Sequence, residues 1–189
     1  MVTIGPRPRA LLLPIFMLSA SPTIAASGCS GAVTRPDGGT GLLKQGDEPP
    51  ALSSTAHDGA AIDLRALGGA PTVIYFYPKD NTPGCTKEAC AFRDAWKKLE
   101  EAGIRVVGVS SDSLESHKAF AAEHELPFSL VADEQLTWAK GFGVDSTGGF
   151  VHRVTFLIGR DGKIAKVYPD VDPGVHAAEV IADVAALPG

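Results

Sequence analysis

Val73-Ile-Tyr-Phe-Tyr-Pro-Lys-Asp-Asn-Thr-Pro-Gly-Cys85, continued by Thr86-Lys-Glu-Ala-Cys-Ala-Phe-Arg-Asp94, is the stretch that decides the reading of this chain. Residues 73–77 are a continuous β-branched and aromatic run, which predicts a buried central strand. Pro78 ends it, and a polar loop over Lys79–Gly84 leads to Cys85. A helix is predicted from about Thr86 to Ala102. There Ala89, Phe92, Trp96 and Leu99 recur at helical spacing and mark the core face, and Gly103 supplies a stop.

Further elements follow on either side. Asp58-Gly59 between short alternating stretches predicts a hairpin over Ala51–Leu64. Ile104–Val109 reads as a second buried strand, Leu114–His124 as a helix capped by Ser113, and Pro127–Val131 as a short strand. Asp133 is positioned to cap a helix running to about Gly141. Val154–Ile158 and Ile164–Tyr168 flank a Gly159-Arg-Asp-Gly162 turn. Asp172-Pro173 opens a last helix whose Val180, Ile181, Val184 and Leu187 share one face. The sum is an α/β domain: a central mixed β-sheet flanked by helices on both faces, closing in a hairpin and a helix as a thioredoxin-like fold does.

Composition narrows the function. The chain has 189 residues, 44% hydrophobic and 21% charged, enough for one packed domain. Its formal charge of -5 argues against nucleic acid as a partner, because phosphate neutralisation needs a basic face. Three cysteines are too few for a disulfide-stapled scaffold. No apolar run reaches the roughly 20 residues of a spanning helix.

Residues 1–29 read as a signal peptide: Arg7 and Arg9, then an apolar run from Ala10 to Leu18, then small residues. The segment closes on Ala26-Ser27-Gly28-Cys29, similar to a bacterial lipobox, with Cys29 the expected lipidation site. Ordinary cleavage near Ala25–Ser27 is the competing reading. Residues 30–43, rich in Gly, Pro, Thr and Asp, are expected to be a flexible linker to a domain over 44–189. The expected location is exported, periplasmic or cell-envelope, with membrane contact only through the lipid.

Cys85 follows a central strand and stands at the mouth of a helix, where open α/β sheets place their sites. Unpaired N–H groups and the helix dipole favour thiolate there. Cys90 lies five residues on. On an ideal helix that separation puts the Cα atoms roughly 8.6 Å apart, whereas a disulfide needs about 7 Å or less. The pair can join only if the helix start unwinds. A Cys-x-x-Cys reductant motif is absent, and no second Cys or His pair stands at zinc-ligand spacing. The alternative for Cys90 taken alone is a small buried residue.

The run Phe76–Asp94 closely resembles the peroxiredoxins, thiol peroxidases of thioredoxin-like fold, and within them the bacterioferritin comigratory protein or peroxiredoxin Q group. The Pro-x-x-x-Thr-x-x-Cys signature falls on Pro78, Thr82 and Cys85, and that group's resolving cysteine falls on Cys90. Gly108-Val-Ser-Ser-Asp-Ser113, Ser116-His117, Leu126-Pro-Phe128 and His152-Arg-Val-Thr-Phe-Leu-Ile158 match as well. The resemblance spans about Lys44 to Leu187.

It implies that Cys85 is the peroxidatic nucleophile, attacking hydrogen peroxide and organic hydroperoxides. Thr82 would hydrogen-bond the thiolate and the peroxide, Arg153 would hold thiolate and peroxide oxygens, and Pro78 would shield the site. Cys90 would resolve the sulfenic acid as an intramolecular disulfide, reduced by a thioredoxin-like dithiol protein. No cofactor or metal is implied, and a monomer is expected. His57, His117, His124, His152 and His176 are expected as polar partners or exposed residues, and Trp96 and Trp138 as core. Two rivals stay open: an exported thiol-disulfide oxidoreductase, and a copper-binding module on a related scaffold.

Overall fold

The structure is a computed structural model and describes residues 1–3, 5 and 32–187. Cys29 and the leader around it lie outside the described residues.

Strand β1 (Ser53–Thr55) pairs antiparallel with β2 (Ala61–Asp63) around the Asp58-Gly59 turn. The central sheet is built from β3 (Thr72–Phe76), β4 (Arg105–Ser110), β5 (Ser129–Ala132), β8 (Val154–Ile158) and β9 (Ile164–Tyr168), in the order β5-β4-β3-β8-β9. β3, β4 and β5 run parallel, while β8 and β9 are antiparallel additions, so the sheet is mixed. β3 is buried at every position, as its unbroken apolar run requires.

The pleat sends Val73, Tyr75 and Tyr77 to one face and Ile74 and Phe76 to the other. The first face is covered by α1 (Pro83–Asp94), α2 (Trp96–Glu101), α3 (Leu114–Glu123) and α5 (His176–Ala185). The second is covered by α4 (Thr137–Phe142) and the amino-terminal hairpin. Ser113 caps α3 by accepting the Ser116 N–H. The Asp133 carboxylate accepts the N–H groups of Trp138 and Ala139 at 3.0 and 2.8 Å. Trp138 is a core residue as expected, while Trp96 is only partly buried and packs against the core of the other face.

Four sequence expectations change, one being the last helix, expected to open at Asp172-Pro173 and beginning at His176. The helix expected from Thr86 begins three residues earlier, because Pro83 suits the first helical position and extends the helix back past Cys85. It also divides at Ala95, whose backbone (ψ 0°) separates α1 from α2. The segment expected as a loose linker is packed from Val33 onward. Leu43 is core, its N–H donates to the Phe142 carbonyl at 3.0 Å, and Arg35 donates to the Gly41 carbonyl at 2.8 Å. Gly143 makes this possible: at φ +72° it leaves open the space where a Cβ would collide with the Gly41 backbone. A short hairpin of β6 (Ser146–Thr147) and β7 (Phe150–Val151), turning at Gly148-Gly149, is additional.

Candidate active site

Cys85 is the third residue of α1, in its first turn, and is 2% exposed. Thr82 is the N-cap but makes no side-chain cap bond, so that turn keeps N–H groups free of any capping side chain. Arg153 arrives from the far end of the sequence through the sheet. Phe76, the last residue of β3, pairs with Val154, the first of β8. That register sets Arg153 beside the chain leaving β3 for α1. Its Nη2 donates to Cys85 Sγ at 3.1 Å.

The other end of the guanidinium meets the carboxylate of Glu88, one turn along α1 and wholly buried. Burial pushes the Glu88 carboxyl up to about 7, and the Arg153 charge only partly opposes it. Burial works against the Arg153 charge as well, but Glu88 and the Cys85 sulfur outweigh that and raise its basicity further. A guanidinium gripped in this way presents its remaining donors in a fixed direction, which is what stabilising negative charge on sulfur or on a leaving oxygen requires.

The raised Glu88 carboxyl has a consequence for stability. The ordinary value is 4.5, so the folded chain binds more protons than the unfolded chain between pH 4.5 and about 7. The contribution is fully present below pH 4.5 and is lost as pH rises through 7. Subtracting the unfolding free energy of Glu88→Gln from that of the parent isolates it. The difference should fall by up to about 3 kcal/mol across that window, as read by urea titration. A flat difference would refute the assignment.

Thr82 Oγ1 donates to the Lys79 carbonyl at 2.9 Å, so its hydroxyl hydrogen is engaged within the loop and not on Cys85. Pro78 is half-buried at the start of the same loop. Cys90 lies on the same uninterrupted helix as Cys85, partly exposed, and both are free thiols. His117 and His176 are wholly buried.

Two residues in this neighbourhood were not singled out in the sequence. Glu88 sits in the apolar stripe with Ala89 and Phe92, and an acid on a core face was the available signal. Asp80 is 5% exposed and accepts from Tyr77, Ser116 and His117. Burial alone would raise its carboxyl, but those three donors outweigh burial and hold it below the ordinary range. Nothing in its local sequence marks it, since its donors include residues 36 and 37 positions away.

A thioredoxin-like sheet with a cysteine in the first turn of the helix after its central strand, and a guanidinium on that sulfur, defines a thiol oxidoreductase. The AhpC/TSA family matches residues 45–167. Peroxiredoxin Q of Sedum lineare is 43% identical over 142 residues, covering 74% of this chain and 76% of that protein. Among solved structures, peroxidoxin BcpB of Mycobacterium tuberculosis is 34% identical at a TM-score of 0.71, covering 78% of this chain and 99% of the other. The bacterioferritin comigratory protein of Xanthomonas campestris is 34% identical at 0.69, covering 76% and 98%. The chain belongs to the AhpC/TSA family, and within it to the peroxiredoxin Q group.

Proposed function

We propose that this enzyme, a thiol-dependent peroxidase, works through Cys85 as the attacking sulfur and Cys90 as the resolving one. The observation that carries the reading is the Arg153 guanidinium on the Cys85 sulfur, held from behind by Glu88. Hydrogen peroxide and organic hydroperoxides are the substrates, and a thioredoxin-like dithiol protein is the reductant. The Xanthomonas campestris relative is described by its alkyl peroxide reduction activity, and we assign the same substrate class here.

The Cys85 thiolate attacks one peroxide oxygen, and the O–O bond breaks. The departing oxygen carries the electron pair away, takes a proton and leaves as water or an alcohol. Arg153 donors stabilise the charge that builds on that oxygen. Cys85 is left as a sulfenic acid. The Cys90 thiol then attacks the Cys85 sulfur, water is expelled and a disulfide forms. The external dithiol reduces that bond by exchange and is itself oxidised. Thr82 serves by turning its hydroxyl from the Lys79 carbonyl toward the peroxide, and Pro78 by limiting water.

Because both cysteines share one helix, disulfide formation unwinds the start of α1. Gly84 makes this turn weak: glycine costs about 1 kcal/mol against alanine in a helix. Gly84→Ala therefore strengthens it, and the added Cβ stands 3.3 Å from Arg153 Nη2. Disulfide closure after a peroxide pulse should slow roughly fivefold, read by acid quench and thiol counting, and an unchanged rate would count against unwinding.

Mass spectrometry after one equivalent of peroxide tests the cycle. Loss of two hydrogens, with the Cys85 and Cys90 peptides joined, is expected. An unlinked pair refutes it. Thiol-disulfide exchange would also use a thiolate beside a guanidinium, and the missing Cys-x-x-Cys pair counts against it. The copper reading finds no support, since among the described residues no group of three His, Cys, Asp or Glu side chains is placed to hold a metal ion.

We further infer export, with residues 1–29 as signal peptide and Cys29 as the lipid-bearing residue, supported by the Arg7, Arg9 and Ala10–Leu18 layout. The domain is assigned as a monomer. The intact mass of mature protein from membranes tests the lipid: an unlipidated mass beginning near Ser27 overturns it.

A further inference from the structure

The loop that joins β3 to α1 is held by α3 rather than by the helix it precedes. Asp80 Oδ1 accepts the Tyr77 hydroxyl at 2.8 Å. Asp80 Oδ2 takes the Ser116 hydroxyl at 2.7 Å and faces His117 Nδ1 at 2.9 Å. The Asp80 N–H donates to Asp112 Oδ2 at 2.9 Å, and the same oxygen receives the Ser110 hydroxyl at 2.7 Å.

His117 is wholly buried, and its Nε2 lies 3.2 Å from the Val131 carbonyl. Both ring nitrogens thus face acceptors. The neighbouring residue, Asn81, has φ +56°, and its side-chain oxygen lies 3.2 Å from His124 Nε2. Four residues of α3 and its flanks therefore fasten two residues of this loop. Buried polar groups tolerate little displacement, because a lost partner leaves a donor or acceptor unsatisfied away from water. The arrangement is accordingly stiff.

Asp80 precedes Thr82 by two residues and Cys85 by five, and hydrogen-bonds to neither. Its grip matters because the first turn of α1 cannot supply its own reference frame. On the reading above, that turn unwinds in every cycle.

We propose that Asp80, clasped by Ser116 and His117, is a positioning residue for peroxide reduction: it pins the 78–82 loop to α3, so that Thr82 and the helix start return to one place around the Cys85 sulfur after each disulfide is reduced. This rests on Cys85 being the sulfur that reacts with peroxide.

The test compares two reactions of the same thiol on the reduced full chain. Single-turnover oxidation by hydrogen peroxide needs the pinned loop. Alkylation by iodoacetamide needs only an accessible nucleophilic sulfur. Ser116→Ala removes one of three donors and should slow oxidation roughly fivefold, and Asp80→Asn roughly fiftyfold. Alkylation should change less than about twofold in both. Ser116→Thr keeps the hydroxyl and should restore the parental oxidation rate.

Equal slowing of both reactions, or parental oxidation rates in a variant with parental circular dichroism, overturns the proposal. Should Asp80→Asn fail to fold, Ser116→Ala and Ser116→Thr still decide it. A parent chain oxidised by peroxide no faster than a free thiol is a different failure. It removes the reading of Cys85, and this inference with it.

Discussion

Cys85→Ser is expected to consume no hydrogen peroxide above the buffer rate, whereas Cys90→Ser should consume at most about two equivalents per chain, one to reach the sulfenic acid and one the sulfinic acid, and then stop, with a thioredoxin-type protein as sole reductant. The contrast follows from the role proposed for each sulfur. A serine hydroxyl at position 85 keeps the Arg153 donor nearby, but it is a weak nucleophile without a base to take its proton. Among the described residues no histidine stands against the Cys85 sulfur; the hydrogen-bond partner it has is Arg153. Cys90→Ser leaves the attacking sulfur and its guanidinium in place, so the first oxidation proceeds. The sulfenic acid then lacks its partner thiol and is open to further oxidation to the sulfinic state. Peroxide consumption by an electrode, with intact mass of the end product, reads both outcomes. Continued turnover by Cys85→Ser would remove Cys85 from the chemistry.

Arg153→Met should lower the second-order rate of Cys85 oxidation by roughly 10²–10³-fold, the usual cost of removing one donor aimed at developing negative charge. Two further effects follow from the geometry. The sulfur loses its charged neighbour at 3.1 Å, and the charge spread between sulfur and peroxide oxygens in the transition state loses that donor. Glu88 loses the only charge that counteracts its burial, so its carboxyl rises further above 7 and is neutral at physiological pH. Neutralisation spares the fold most of the penalty of a stranded buried charge. The variant should therefore lose far more rate than stability. Stopped-flow oxidation and a urea midpoint on the same preparation separate the two. A rate within a few-fold of the parent would show that Arg153 only pairs with Glu88.

Much of this is legible in the residues alone. The strand over 73–77 needs no partner to be recognised, because an apolar run of that length is stable only when both faces are covered. Ser113 caps its helix as read, and Asp133 accepts the first-turn N–H groups of α4 from outside it, the N-cap position being Leu136. Boundaries were less legible. Pro83 and Gly84 look like loop residues, yet α1 begins there, because proline loses nothing at a position whose N–H has no helical partner. Leu42 and Leu43 were the large apolar pair in an otherwise polar segment, and their burial against α4 ends the expected linker early.

The amino-acid order by itself determined the class of this protein: a buried strand, a cysteine at the helix that follows it, and a second cysteine five residues on. These are local matters of side-chain pattern and helix geometry. Only the tertiary structure decided what surrounds that sulfur. The β3–β8 register carries Arg153 across 68 positions to reach it, and the pleat and helix face together bury Glu88 behind it. The packing of α3 closes two donors, Ser116 and His117, on Asp80 beside that of Tyr77. Such contacts depend on how strands are aligned and faces are stacked, and one residue of slip in the sheet would dissolve them all.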